Sequence, residues 1–261
     1  MIPKIIHYCW FGRNPKPEII EKCLASWKKY CPDWEIREWN EDTFDVSAFP
    51  YTREAYAEKK WAFVSDVARL YAVYECGGVY LDTDVELLHG IDDLCEYDAV
   101  FAFANEIYVA SGLGFGASRH HGTVESMLKA YENRHFLKDG GKADLSPCPK
   151  LNTEALREYH PDFQRNGKPQ LFDGVRILSF SEYAAFAKHY GTGTWLDEPP
   201  VKRGEYKDTK LKRFLREPGR IARIEKRMGK KFLSVYIFFS YDLLEMGPWY
   251  YIKRRLRKGK K

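Results

Sequence analysis

Apolar and polar residues alternate or recur along this chain at spacings that mark its first elements. Lys4 to Trp10 is short, apolar and β-branched at its start, then runs into Phe11-Gly12 and a Pro-rich stretch, so it predicts a strand feeding a loop. A helix is expected over Ile19 to Tyr30, and the alternation from Trp34 to Trp39 predicts a half-buried strand. Between Trp61 and Cys76 the apolar residues Val64, Val67, Leu70, Tyr71 and Tyr74 recur at helical spacing. Gly77-Gly78 supplies the stop. Val79-Tyr80-Leu81 then begins a strand that carries Asp82-Thr83-Asp84. Ala99 to Phe103 and Val175 to Leu178 predict further strands, and Val124 to Asn133 a helix. Strand, helix, strand at the start favours the α/β class.

Composition narrows this picture. With 261 residues and 44% hydrophobic content, the chain can bury a full core, which excludes disorder as its overall state. Its six cysteines (Cys9, Cys23, Cys31, Cys76, Cys95 and Cys148) show no C-x-x-C pair and no zinc-ligand spacing, so reduced thiols are expected. No export signal is visible at the N-terminus. Charge is unevenly placed: from Val201 onward there are 20 Lys/Arg against 6 Asp/Glu, leaving 22 against 31 before it, a tail of +14 and a body of −9. A catalytic domain over 1–200 and a basic, amphipathic helical extension over 201–261 are expected. Phe232 to Phe239 is apolar but far shorter than the roughly 20 residues a spanning helix needs. With the run Lys253-Arg254-Arg255-Leu256-Arg257-Lys258, the tail either lies on an anionic membrane leaflet or packs on the domain with a solvated end. No nucleic-acid module accompanies the charge, so nucleic acid is not an expected partner.

Asp82 and Asp84 carry the first chemistry. In an extended strand, residues two apart point to the same side, so both carboxylates are expected to face one site. Mn²⁺ or Mg²⁺ suits such oxygen ligands and keeps positions open for substrate phosphates. Alone, D-x-D is a weak signal whose common meaning is a solvated turn. What strengthens it is the neighbouring run: Ser65-Asp66-Val67-Ala68-Arg69, then Gly77-Gly78-Val79-Tyr80-Leu81-Asp82-Thr83-Asp84.

That run resembles the DXD sugar-binding-region glycosyltransferases, with their S-D-x-x-R followed by G-G-x-Y-x-D-x-D. The family includes the yeast initiating α-1,6-mannosyltransferase, bacterial capsular polysaccharide transferases and, more distantly, the clostridial glucosylating toxins. A second block, Ile2-Pro3-Lys4-Ile5-Ile6-His7-Tyr8-Cys9-Trp10-Phe11-Gly12, is similar to the family's I-P-K-x-I-H-x-x-W-x-G opening. A looser third one, Ala187-Lys188-His189-Tyr190-Gly191-Thr192-Gly193-Thr194-Trp195, is similar to a late segment in which a His precedes a Ser-Trp pair, with Thr194 in place of the Ser.

The resemblance implies an A-type glycosyltransferase fold, a Rossmann-like mixed sheet flanked by helices. It implies a divalent metal, a nucleotide diphosphate sugar as donor, UDP-linked by family habit, and a glycan or lipid-linked glycan as acceptor. Transfer with retention, in bacterial surface polysaccharide synthesis at the cytoplasmic face of the membrane, is the matching expectation. By the same carry-over Asp84 binds the metal directly, Asp82 contacts ribose, sugar or metal through water, and His189 is a further ligand. Asp66 and Arg69 hold donor-sugar hydroxyls, Trp10 stacks on the base, and His7, Ser65, Tyr80 and Trp195 line the donor site. Each has a plainer account: an i,i+3 salt bridge for Asp66 and Arg69, a core aromatic for Trp10, a buried strand tyrosine for Tyr80, an ordinary hydrogen-bonded histidine for His189. Glu106 is an acceptor-side candidate, and His120-His121 a surface pair where a helix starts. Two other functions stay open here: a phosphohydrolase of the haloacid dehalogenase type, whose D-x-D usually sits on the first strand, and a non-catalytic carbohydrate- or membrane-binding module.

Overall fold

In the computed structural model, residues 1–138 and 140–191 are described, and all belong to one compact unit, Met1–Trp195. The expected 200/201 boundary, the basic extension and Trp195 lie outside the described residues. The elements in order are β1 (Ile5–Cys9), α1 (Glu18–Tyr30), β2 (Glu35–Trp39), α2 (Pro50–Ala57), α3 (Trp61–Cys76), β3 (Gly78–Tyr80), β4 (Val85–Leu87) and, after a 3₁₀ turn, β5 (Ala99–Ala102). Then come β6 (Phe115–Ala117), α4 (Gly122–Glu132), β7 (Leu137–Lys138), β8 (Lys142–Ala143), α5 (Cys148–Tyr159), β9 (Gln170–Phe172), β10 (Val175–Leu178), α6 (Phe180–Phe186) and β11 (Ala187–His189).

The main sheet has seven strands in the order β2-β1-β3-β6-β5-β10-β9. β1 is parallel to β2 and β3, and β10 is parallel to β5. β6 runs antiparallel between β3 and β5, and β9 is antiparallel to β10. The sheet is therefore mixed and flanked by helices, the α/β architecture expected. Period-two alternation divides its side chains between two cores. Tyr80, Ala99, Phe101, Phe103, Val175 and Ile177 pack with α2, α3, α4 and α5. Ile6, Tyr8, Val79, Val100, Ala102 and Leu178 pack on the other face with α1, which buries Ile20, Cys23, Leu24 and Trp27 along one stripe. All six cysteines are free thiols.

α3 lies against the sheet centre and buries residues on several sides, Asp66 and Arg69 among them. It ends at Gly77, whose N–H donates to the Val73 carbonyl, and the chain reverses at once through Gly77 (φ +67°) and Gly78 (φ +104°). A side chain at Gly78 would place its Cβ 2.6 Å from the Ile5 carbonyl oxygen, so the close pairing of β3 with β1 depends on glycine there.

His7 locks this corner. It is fully buried; its Nδ1 accepts from Trp39 Nε1–H at 3.0 Å, and its Nε2 lies 2.7 Å from the Gly77 carbonyl. Indole can only donate, so Nδ1 is the acceptor, Nε2 carries the proton, and the ring is neutral. Both nitrogens are thus occupied within the fold. The expectation that His7 lines the donor site gives way to a structural role, because no ring atom is left to face a ligand. Burial lowers its pKa from 6.5 to about 4. A histidine held neutral by the fold stabilises above its unfolded pKa, and this contribution is lost as pH falls from about 6.5 to about 4, a loss of about 3 kcal/mol. Urea unfolding across that window is expected to show a steeper decline in the parent than in His7→Gln. Parallel curves would show that His7 does not carry this pH dependence.

Candidate functional site

The acidic motif sits where β3 ends. Leu81 N–H still pairs with the His7 carbonyl at 3.0 Å, and the chain then turns, with Val85 N–H donating to the Asp82 carbonyl at 2.9 Å. Asp82-Thr83-Asp84 is therefore a tight turn between β3 and β4, not the extended strand expected from the sequence. The two carboxylates converge because the turn closes, rather than through strand alternation.

The third member arrives from 105 positions after Asp84. β11 pairs antiparallel with β4, setting His189 opposite Val85, and Tyr190 N–H donates to the Asp84 carbonyl at 3.0 Å. His189 Nε2 lies 3.0 Å from Asp84 Oδ1. Ligand atoms of Asp82, Asp84 and His189 all lie within 4.8 Å of one another. Two carboxylate oxygens and one imidazole nitrogen make a donor set that fits Mn²⁺ or Mg²⁺, with coordination positions to spare for phosphate oxygens.

Residues to which the sequence analysis gave no role hold this arrangement. Trp27 of α1 donates its indole N–H to the Val85 carbonyl at 2.8 Å, fixing β4. Tyr190 OH donates to Glu86 at 2.6 Å, and Lys22 Nζ lies 3.0 Å from the same carboxylate, tying β11 to β4 and both to α1. Glu86 and Tyr190 had proximity as their signal in the sequence, two residues past Asp84 and next to His189, whereas Trp27 and Lys22 had none.

Behind the turn, α3 presents Asp66 and Arg69 one helical turn apart. Arg69 Nη2 is 3.0 Å from Asp66 Oδ1 and 3.5 Å from Asp82 Oδ1, its Nε–H donates to the Ser65 carbonyl at 3.0 Å, and the guanidinium lies 5.0 Å from the Tyr80 ring centroid. The salt bridge of the plainer account is present, and it extends to Asp82. Tyr80 is a buried strand tyrosine whose hydroxyl donates to Asp82 Oδ1 at 2.8 Å. Ser65 contributes its carbonyl to Arg69, while its hydroxyl donates to the Trp61 carbonyl at 3.1 Å.

Burial dominates the electrostatics. It pushes the Asp66 carboxyl up to about 6, against the pull of Arg69, while the Cys148 thiol donates to it. Asp82 is also pushed up by burial; Arg69 opposes the rise and Asp84 adds to it. For Arg69, burial works against the charge, but Asp82, Tyr80 and Asp66 together outweigh it and keep the guanidinium protonated. A fixed cation thus sits between two acids, one of which also faces the Asp84–His189 pair.

A loop after β5 closes over the group. At Gly112 a Cβ would stand 2.6 Å from Asp82 Oδ2 and 3.0 Å from Arg69 Nη1, so only glycine lets the backbone come this close. This residue was missed, since an isolated glycine in a loop carries no signal by itself.

The remaining expected residues lie as follows. Trp10 is half-buried at the carboxyl end of β1, its indole N–H donating to the Asn14 carbonyl at 2.7 Å. Glu106 is exposed and lines a separate cleft. His120 and His121 do mark the start of α4, with His121 as its N-cap. The acidic turn follows the third strand in chain order, away from the first-strand position usual in the haloacid dehalogenase type.

Residues 17–101 match the family of the glycosyltransferase sugar-binding region containing DXD motif, a span that holds Asp66, Arg69, Asp82 and Asp84. Inositol phosphoceramide mannosyltransferase 3 of Schizosaccharomyces pombe is 33% identical over 106 residues, covering 38% of this chain and 28% of that protein's length. Among solved structures, PaToxG glycosyltransferase aligns with a TM-score of 0.47 at 19% identity, over 61% of this chain and 70% of that one. A glycosyltransferase involved in the glycosylation of the major capsid of PBCV-1 aligns with a TM-score of 0.37 at 10% identity, over 73% and 95%.

Proposed function

Starting from a chain that carries the DXD sugar-binding region of glycosyltransferases, we propose that it transfers a hexose or N-acetylhexosamine from a nucleotide diphosphate sugar to a glycan or lipid-linked glycan. The observation that carries this reading is the convergence of Asp82, Asp84 and His189 within 4.8 Å, next to the Asp66–Arg69 pair. Bound there, Mn²⁺ or Mg²⁺ supplies charge neutralisation for a departing diphosphate. The protein's own groups do the rest. Arg69, locked by Ser65, Asp66 and Asp82, offers a fixed guanidinium, and Asp66 in its ionised form accepts from donor-sugar hydroxyls. Trp10 stacks on the base. Tyr80 and Gly112 hold Asp82 in place, so that positioning and preorganised charge carry the rate.

The donor is taken to be UDP-linked and transfer to proceed with retention, in bacterial surface polysaccharide synthesis, on the strength of the family resemblance. The 201–261 tail is read as a contact with the anionic inner leaflet from its charge alone. Among the described residues no helix is long and apolar enough to cross a membrane. Flotation with anionic liposomes checks the tail: equal partition of the full and tail-deleted chains would remove it as an anchor.

The reading itself is tested by thermal unfolding with a panel of nucleotide sugars, with and without Mn²⁺. At a ligand concentration of 100 Kd, binding to the native state adds about 2.7 kcal/mol, and one nucleotide sugar is expected to raise Tm only when Mn²⁺ is present. A panel without any Mn²⁺-dependent rise sinks the proposal.

A further inference from the structure

A cleft opens at the same edge of the sheet as the acidic turn. β3, β5 and β10 run in the same direction, so the segments leaving their carboxyl ends gather on one side, where ligands of open α/β sheets bind. The segment after β3 is the acidic turn. Those after β5 and β10 supply Asn105, Glu106, Ser179, Phe180 and Ser181, which with Gly167 line a cleft of about 250 Å³.

One loop joins this cleft to the acidic turn. It leaves β5, carries Glu106 at its tip and returns through the Phe103–Val109 bridge to Gly112, which lies against Asp82 and Arg69. Hydrogen bonds tie the tip down: the Asn105 carboxamide oxygen accepts from the N–H groups of Ile107 and Tyr108, each at 2.8 Å, and Val109 N–H donates to Thr153 of α5 at 2.9 Å. Gly167, at φ +66°, passes so near that a Cβ there would stand 2.9 Å from Glu106 Cα, which sets the cleft wall against the Glu106 backbone.

The lining is amphipathic in a particular way. Phe180 leaves 52% of its surface exposed, and this aromatic residue shares the lining with the exposed Glu106 and Ser181. A sugar ring has that character, with C–H groups for an aromatic face and hydroxyls around its rim for carboxylate and serine oxygens. No lining residue is cationic, and one is anionic, which disfavours phosphate or uronate ligands and separates this cleft from the donor diphosphate. Its volume falls just under the roughly 300–1,000 Å³ of drug-sized pockets, room for about one saccharide unit.

We propose that this cleft binds one unit of the neutral glycan acceptor, with Phe180 as the stacking platform and Glu106 as the hydroxyl acceptor. The proposal rests on the glycosyl-transfer reading, but its test does not require turnover. Saturation-transfer NMR of the full chain with methyl α- and β-glycosides of glucose, galactose, mannose and N-acetylglucosamine reads the cleft directly. At least one glycoside is expected to give a signal that falls about five-fold or more in Phe180→Ala and in Glu106→Gln. Both positions are exposed, so both variants are expected to keep the parent Tm and its Mn²⁺-dependent rise with nucleotide sugar. No signal from any glycoside, or equal signals from the parent and both variants, overturns the assignment. A glycoside signal in a parent that shows no Mn²⁺-dependent rise overturns the transfer reading on which the proposal rests.

Discussion

An Asp84→Asn chain is expected to fold as the parent does and to lose sugar transfer by on the order of 10²–10³-fold, because metal-ion charge stabilisation contributes several kcal/mol to such a step. The fold survives because the asparagine carboxamide can still hydrogen-bond to His189 Nε2, which lies 3.0 Å from Asp84 Oδ1. The Tyr190 hydrogen bond goes to the Asp84 main chain and is untouched. What disappears is the negative charge that a divalent ion requires. The expected pattern is an unchanged Tm without metal, no Mn²⁺-dependent rise with nucleotide sugar, and the loss of transfer. Full activity in this variant would remove the metal from the mechanism. A large drop in Tm without metal would instead show that Asp84 is mainly a structural anchor for β11.

Arg69→Met has the second large effect, and it falls on stability as well as activity. Asp66 and Arg69 are both buried, and Asp82 shares the same guanidinium. Removing the cation leaves buried carboxylate charge uncompensated, which costs about 3–5 kcal/mol. The remaining partners of Asp66 cannot offset this, because the Cys148 thiol is a weak donor. The loss depends on pH in a definite direction. A buried carboxyl whose folded pKa lies above its unfolded value of 3.8 destabilises once ionised, so the variant's deficit is smallest at low pH and grows as pH rises through the folded pKa, which is already about 6 for Asp66 with Arg69 in place. Urea unfolding at pH 5 and pH 8 checks this. Adding Asp66→Asn to Arg69→Met is expected to recover part of the deficit at pH 8. A deficit below about 1 kcal/mol at pH 8, the level of an exposed ion pair, would mean the cluster is solvated and not preorganised.

Much of this site was legible along the chain, and its legible parts share a physical basis. α3 was readable from end to end because its apolar residues keep helical spacing and Gly77-Gly78 stops it. Asp66 and Arg69 were legible as neighbours because three positions is one helical turn. Asp82 and Asp84 were legible as a pair, although for the wrong reason: two residues apart suggests a strand, whereas the hydrogen bond from Val85 to Asp82 makes a turn. α2, α5, α6 and the short strands β4, β6, β9 and β11 were not read. Strands of three residues carry too little alternation to register, and their pairing is decided by neighbours distant in sequence.

His7 shows the limit from the other side. A histidine in a family-like opening block suggests a ligand contact, yet whether its nitrogens face a ligand or a neighbouring indole is settled by Trp39, 32 positions away. His189 shows the same dependence with the opposite result. Its place beside Asp84 exists because β11 pairs with β4, and that pairing is held by Trp27, Glu86, Lys22 and Tyr190.

The sequence by itself determined the local groupings: an acidic pair, an acid and a base one helical turn apart, and a double glycine between them, all within twenty residues whose spacing follows from helix and turn geometry. Only the tertiary structure decided that these groupings face one another, that Arg69 reaches Asp82 as well as Asp66, and that His189 and Gly112 complete the site. The reason is that local periodicity is a property of consecutive residues, whereas the depth of a carboxylate, the partner of an imidazole and the approach of a loop are set by which strands and helices pack together.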